Sequence, residues 1–297
     1  MSRVTFIGIG TMGLPMAQRV VGAGYEVVAC DIDVGRAQKL GVKTARTPAE
    51  ASKNSDVIII SLPSVAAVED VVLGVNGVVN GVERGATVID MSTSPPALAR
   101  VLAAALRDRD VSFLDAPVSG GPTGAQAGTL AIMVGGEIDI FKQWETLLGV
   151  MGARIEYVGK HGAGQAVKLC NNLMVACTMA GVVEACAVLE HEGVDPKEAY
   201  EVFTHSTSDS AVIRRRFPLA GVRSEHPASN EFEPMFRLDL LVKDMKLAQE
   251  FLASHGLSSK VGEAAIKLYE EAINAGLGNL DYSAIYRVVE ARSEESC

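Results

Sequence analysis

Lys168, Asn171 and Asn172 are the side chains of this sequence best placed to do chemistry together. Lys168 and Asn172 stand four apart and Asn171 is three from Lys168, so on a helix all three share neighbouring parts of one face. They open the stretch Gly162-Ala-Gly164-Gln-Ala-Val-Lys168-Leu-Cys-Asn171-Asn172, which continues almost wholly apolar to Glu190. No proline interrupts it from Ala163 to Asp195. An ammonium and two carboxamides on an apolar rod are costly unless they have work to do. An amine in such a place can exchange a proton with a reacting hydroxyl or carbonyl, and a lysine tuned for that work titrates at roughly 7 to 8.

A second set of residues has the spacing of a phosphate cradle. The β-branched and aromatic run Val4 to Ile9 reads as a buried parallel strand and leads into Gly8-Ile-Gly10-Thr11-Met12-Gly13. Helical spacing follows in Leu14, Ala17, Val20 and Val21, and then a second strand, Glu26 to Cys30, ends in Asp31. Strand, glycine-rich turn, helix, strand and acid form the dinucleotide-binding pattern. Gly8 allows the tight turn, Gly10 the approach of a pyrophosphate and Gly13 close packing of helix on strand. The N–H groups of the turn, with Thr11 and Met12 in it, and the positive end of the helix would hold the phosphates. The Asp31 carboxylate suits the ribose hydroxyls of NAD and would repel the 2′-phosphate of NADP, with Arg36 the nearest side chain to neutralise it.

These residues need elements to position them. Strands over Asp56–Leu62, Ala86–Asp90, Val111–Asp115, Leu130–Val134 and Arg154–Val158 alternate with helices starting at the Thr47-Pro48-Ala-Glu50 capping box, at Ser94-Pro95-Pro96 and at Phe141. That alternation predicts a doubly wound α/β domain over residues 1–160, with ligands at the carboxyl ends of the strands. Leu62-Pro63, Ser92-Thr93 and Pro117 to Gly121 fall at those ends, with Thr93 read as a contact to the nicotinamide half. Asp115 to Gly128 reads as a loop whose glycines and Ser119 suit a substrate carboxylate. From 161 to 297 only helices and loops are expected. The first is a core helix apolar on every face, followed by one capped at Asp195-Pro196, one ending near Arg215, an amphipathic helix through Leu238, Leu241, Val242, Met245, Ala248 and Leu252, two more at 259–275 and 281–292, and a frayed tail. Phe217 to Glu233 reads as a loop, and His161, beside the hinge, as a histidine bonded to backbone.

Composition sets the class. The 297 residues carry a net charge of −9, and Arg214-Arg215-Arg216 is the sole basic run, which argues against nucleic acid. Charged and polar residues interrupt the long apolar helix, which argues against a membrane span. The five cysteines and five histidines show no metal-ligand spacing, so no metal is expected. Cys170, Cys177 and Cys186 in the apolar helix read as reduced buried thiols, and Met1-Ser-Arg runs directly into a strand, so the expected compartment is the cytoplasm.

Four segments together resemble the β-hydroxyacid dehydrogenase family. They are Phe6-Ile-Gly8-Ile-Gly10-Thr-Met12-Gly13-Leu-Pro15-Met16-Ala17, Asp115-Ala-Pro-Val-Ser-Gly-Gly121, Gly159-x-x-Gly162-x-Gly164-x-x-x-Lys168-x-x-Asn171-Asn172 and Lys243-Asp244-x-x-Leu247-Ala248. The resemblance implies that Lys168 is the catalytic proton acceptor and donor, and that Asn172 positions it and the substrate. It implies a substrate-carboxylate loop at Ser119, Gly120 and Gly121 and cofactor contacts at Leu62, Pro63 and Thr93. Lys243 would reach cofactor and active site, with the acid Asp244 beside it. It further implies a homodimer or homotetramer built through the helical domain. The activity implied is hydride transfer between NAD and a small 3-hydroxy acid, of the 3-hydroxyisobutyrate dehydrogenase type. Alternatives are a reductase of tartronate semialdehyde or glyoxylate-type aldehydes, a dehydrogenase of L-serine-like 3-hydroxy acids, and a non-catalytic dinucleotide-binding interaction module. Aldehyde reductases of the family often carry Asn-Arg where this chain has Asp31-Ile32, and a chain that had lost catalysis would be expected to lack the lysine.

Overall fold

A computed structural model describes residues 2–295. Its contacts divide into two compact units, Met1–Lys168 and Leu169–Cys297, with the division inside one helix.

In the first unit the chain runs β1 (Arg3–Ile7), α1 (Gly13–Gly22), β2 (Glu26–Cys30), α2 (Val34–Gln38), β3 (Lys43–Ala45), α3 (Pro48–Ser52), β4 (Val57–Ile60), α4 (Val65–Leu73), β5 (Thr87–Asp90), α5 (Pro96–Arg107), β6 (Ser112–Asp115), β7 (Val118–Ser119), α6 (Gly121–Ala127), β8 (Leu130–Gly136), α7 (Ile138–Met151) and β9 (Gly152–Gly159). One sheet holds all these strands in the order β3-β2-β1-β4-β5-β6-β8-β7, with β9 beside β8. From β3 to β6 every pairing is parallel. β8 runs antiparallel to β6 and β7. The strands are short and apolar because helices cover both faces. Alternate residues leave on opposite sides: Phe6, Ile59, Ile89 and Leu114 enter one cluster, and Ile7, Ile58, Ile60, Val88 and Phe113 the other. Each such side chain contributes about 1.5–3 kcal/mol by leaving water.

Two local expectations are corrected. Asp115 to Gly128 is not a loop: Asp115 closes β6, Val118–Ser119 pairs with β8, and Gly121–Ala127 is helical. Its glycines give no apolar periodicity, which hides a short helix from pattern reading. β3 is an unanticipated edge strand, too short to show alternation.

The helical unit contains most of α8 (Ala163–His191), then α9 (Pro196–Thr204), α10 (Ala211–Arg216), α11 (Leu238–Ala253), α12 (Lys260–Asn274) and α13 (Tyr286–Glu295). α13 passes its expected end at Arg292, and the last residues of the expected tail lie outside the described region. Met179, Val183, Cys186, Phe217, Leu238, Leu241, Met245, Tyr269, Tyr282 and Ile285 meet in the core. The expectation that α8 is buried all round fails. Leu169, Ala176, Met179, Val183 and Cys186 are buried, but Met174 is 69% and Val188 62% exposed. The packed residues recur at three- and four-residue spacing, so neighbours cover one face of the rod.

The loop after α10 is held by a residue that pattern reading did not single out. Asp281, fully buried, accepts from Arg216 Nε at 3.3 Å and from the backbone N–H groups of Met235 and Phe236 at 3.2 and 2.9 Å. The Arg216 guanidinium also lies 5.0 Å from the centre of the Tyr282 ring.

Gly13 is the tightest point of the glycine turn. A Cβ there would lie 1.8 Å from the Gly8 carbonyl oxygen, while one at Gly10 would meet nothing within 4 Å. Gly13→Ala is therefore expected to lower stability by about 1–3 kcal/mol, read from the denaturation midpoint. Gly10→Ala is expected to leave stability unchanged and weaken dinucleotide binding.

Candidate active site

The glycine turn is built as a cradle. Gly8 has φ +90°, a left-handed geometry that glycine accepts without strain, and a Cβ there would strike the Ser61 carbonyl. No side chain caps α1, and Thr11 is exposed at its entrance. Asp31 stands at the end of β2, and its two oxygens accept from Ile9 N at 2.6 Å and Asp33 N at 2.8 Å. These bonds fix the carboxylate against the turn. Each oxygen keeps a further lone pair, so a ribose hydroxyl can still bind.

The next strand ends are tied to one another. Leu62 N donates to Ser92 Oγ at 2.9 Å, and Ser92 N donates to Asp90 Oδ1 at 2.9 Å. Leu62, expected as a cofactor contact, is thus tied to Ser92, the residue before Thr93, with Pro63 exposed beside it. Ser119 pairs with Ala131 across β7 and β8, and Gly120 and Gly121 follow with φ of +139° and +67° at the start of α6.

The start of α8 is anchored by a carboxylate. Asp115, fully buried, accepts from Gly162 N at 2.7 Å and Gln165 N at 3.0 Å. These are N–H groups that a helix leaves without internal partners. Gly164 permits the close approach, since a Cβ there would lie 2.3 Å from the Met133 carbonyl oxygen. Burial pushes the Asp115 carboxyl above its ordinary range, against the opposing pull of the Gly162 and Gln165 bonds and of His161. Lys168, one turn further along the helix, is 7% exposed.

Asn172 follows on the same helix one turn after Lys168, in the helical unit. Its Nδ2 donates to Asp244 Oδ2 at 2.6 Å, and its Oδ1 accepts from Asn171 Nδ2 at 3.1 Å. Asp244 is buried, and its other oxygen lies 3.1 Å from Lys243 Nζ. The fold thus brings Asn171, Asn172, Lys243 and Asp244 into one network and fixes both ends of the Asn172 carboxamide. His161 is not bonded to backbone as expected: its Nδ1 is buried without a hydrogen-bond partner, and its Nε2 lies 3.8 Å from Glu137. No group of metal-ligating side chains occurs among the described residues.

The glycine turn, the uncapped helix, the open space at Gly10 and the placed carboxylate of Asp31 fit a nicotinamide dinucleotide. The class defined is therefore a dinucleotide-dependent oxidoreductase with a buried lysine on α8. The comparisons agree. Residues 3–159 match the NAD-binding domain model of 6-phosphogluconate dehydrogenase, and residues 162–289 match the NAD-binding model of NADP-dependent 3-hydroxyisobutyrate dehydrogenase. The NAD-dependent L-serine dehydrogenase of Pseudomonas aeruginosa is 35% identical, over 98% of both chains. The mitochondrial 3-hydroxyisobutyrate dehydrogenase of Rattus norvegicus is 34% identical, over 99% of this chain and 88% of that one. The structure of Mycobacterium tuberculosis 3-hydroxyisobutyrate dehydrogenase with L-serine superposes with a TM-score of 0.89 at 32% identity, over 97% of this chain and 99% of that one. The chain belongs to the β-hydroxyacid dehydrogenase family, enzymes that oxidise 3-hydroxy acids with a nicotinamide dinucleotide.

Sequence reasoning had passed over Asp115 and Gln165 as site-building residues. A carboxylate closing an apolar strand and a carboxamide opening an apolar helix were the available signals. Because its folded-state affinity for a proton is raised, Asp115 contributes stability that is fully present below the ordinary value of 3.8 and lost as pH rises through the raised one. The stability advantage of the wild type over Asp115→Asn is therefore expected to be greatest at low pH and to shrink as pH rises above the ordinary carboxyl range, as read from urea midpoints.

Proposed function

We propose that the protein is an NAD-dependent dehydrogenase of a small 3-hydroxy carboxylic acid, of the 3-hydroxyisobutyrate type, with Lys168 as proton acceptor and donor. The observation that carries this reading is a buried lysine one helical turn before an asparagine whose carboxamide is fixed at both ends. Oxidising an alcohol to a carbonyl removes a hydride from carbon and a proton from oxygen. When bound, the nicotinamide ring supplies the hydride acceptor. The Lys168 amine receives the hydroxyl proton, and in reverse the ammonium polarises the carbonyl and protonates the developing alkoxide. Asn172 orients the substrate oxygen. Ser119, Gly120 and Gly121 hold the substrate carboxylate through hydroxyl and N–H groups. Lys243 and Asp244 complete the polar lining, with Asp244 keeping the Asn172 carboxamide and the Lys243 ammonium in place. Gly8, Gly10, Thr11, Met12 and Gly13 receive the pyrophosphate, and Leu62, Pro63 and Thr93 the nicotinamide half. Residues 1–160 act as the dinucleotide-binding part and 161–297 as the substrate and oligomerisation part.

NAD is favoured over NADP because the Asp31 carboxylate is fastened at the end of β2, where a 2′-phosphate would meet like charge. A homodimer or homotetramer formed through the helical unit is supported by the exposed apolar residues Met174 and Val188 on α8. A cytoplasmic location is supported by the free thiols of Cys30, Cys170, Cys177 and Cys186. A second substrate, L-serine, is favoured by the name of the Pseudomonas relative and by the ligand of the Mycobacterium structure.

Absorbance at 340 nm with NAD and a panel of 3-hydroxyisobutyrate, L-serine and glycerate tests the activity; silence across the panel would favour a non-catalytic dinucleotide-binding module. Lys168→Ala is expected to lower kcat by on the order of 10²- to 10⁴-fold while NADH still binds. A near-wild-type kcat would remove the lysine from the reaction. Catalytic efficiency is expected to be at least ~10-fold higher with NAD than with NADP. The opposite order would overturn the part given to Asp31.

A further inference from the structure

Gln165 is fully buried at the first turn of α8, and each polar atom of its side chain is engaged. Its Oε1 accepts from Ser94 N at 2.9 Å, and its Nε2 donates to Ser92 O at 2.9 Å. Its own backbone N–H goes to Asp115 Oδ2 at 3.0 Å. The carboxamide therefore spans the short loop Ser92-Thr93-Ser94, pairing with the backbone on either side of Thr93. Lys168 follows three residues later, a spacing that puts both side chains on adjoining parts of the helix surface. The same loop carries the hydroxyl that receives Leu62 N.

From this we infer that Gln165 is a positioning residue for the reaction. It sets the separation between the Thr93 loop, which carries the nicotinamide contacts, and the Lys168 amine. A carboxamide is suited to this task because it is a rigid donor–acceptor plane that matches one backbone carbonyl and one backbone N–H at once. A carboxylate of the same shape would keep the acceptor for Ser94 N but set a second acceptor against the Ser92 carbonyl. A thioether of similar length would leave both backbone groups without partners in a dry interior. In either case the loop and the helix lose their fixed spacing, and a shift of about 1 Å in the reacting groups can cost on the order of 10²-fold in rate. The inference rests on the dehydrogenase reading above.

Two variants in the full-length protein test it. In Gln165→Met, kcat with the active 3-hydroxy acid is expected to fall on the order of 10²-fold. KM for NAD and the affinity for NADH, followed by its fluorescence, should stay within about 3-fold of the wild type. The primary deuterium isotope effect on kcat should rise, because hydride transfer becomes the slow step. In Gln165→Glu, activity should depend on the protonation of the introduced carboxyl. Protonated, it can donate to Ser92 O and restore the wild-type pattern; ionised, it cannot. The charged groups nearest this position are Asp115 on β6, which accepts from Gln165 N, Asp90 at the end of β5, which accepts from Ser92 N, Arg100 of α5 beside Gly162, and His161 and Lys168 on the same chain segment. All are present in the wild type, so a new ionisation with activity on its acid side belongs to the introduced carboxyl. If Gln165→Met does not fold, the pH profile of Gln165→Glu decides. A profile superimposable on that of the wild type, or a Gln165→Met enzyme with unchanged kcat and isotope effect, would overturn the inference. A wild type inactive across the whole panel would instead sink the dehydrogenase reading itself.

Discussion

The acceptance of two backbone N–H groups by the buried carboxylate of Asp115 is the interaction on which the rest depends. The first amides of any helix lack internal partners, and at the start of α8 they would otherwise be orphaned in a dry environment. Asp115 closes β6, so the same carboxylate fastens the helix to the sheet. Gly164 has no Cβ to hold the helix off, and a side chain there would strike the backbone of Met133. Once that end is fixed, helix geometry places the residues of the next turn. Gln165 and Lys168 then follow along one face.

α8 serves two units with different demands. Its first turns are polar on the packed face, because there the helix meets backbone groups that require hydrogen bonds. Beyond Asn172 the packed face is apolar and joins the core formed with Leu241, Met245 and Tyr269. The Asn172–Asp244–Lys243 network lies near the start of this second stretch, where the helical unit receives its own polar cluster. A buried asparagine with one fixed orientation needs a partner at each end, and Asn171 and Asp244 supply them.

Much of this was legible in the sequence. The glycine turn, the acid at the end of β2, the capping residues Thr47 and Asp195, and the Lys168–Asn172 spacing all stand in short local patterns. What was hidden depended on neighbours distant in the chain. The burial of α8 on one face could not be read from a rod apolar all round, since composition does not say which side is covered. The helix Gly121–Ala127 was obscured by residues without periodicity, and the His161 ring found Glu137 rather than a backbone carbonyl. Asp115, Gln165 and Asp281 each satisfy backbone groups of another segment, and no local pattern announces such a partner.

The most direct test is a crystal structure with NADH and a bound 3-hydroxy acid or its carbonyl product. Lys168 Nζ should lie roughly 3 Å from the reacting oxygen, within hydrogen-bond reach. The C4 atom of the nicotinamide should face the carbon that bears that oxygen. A Lys168 ammonium turned into bulk water, with another side chain on the reacting oxygen, would contradict it.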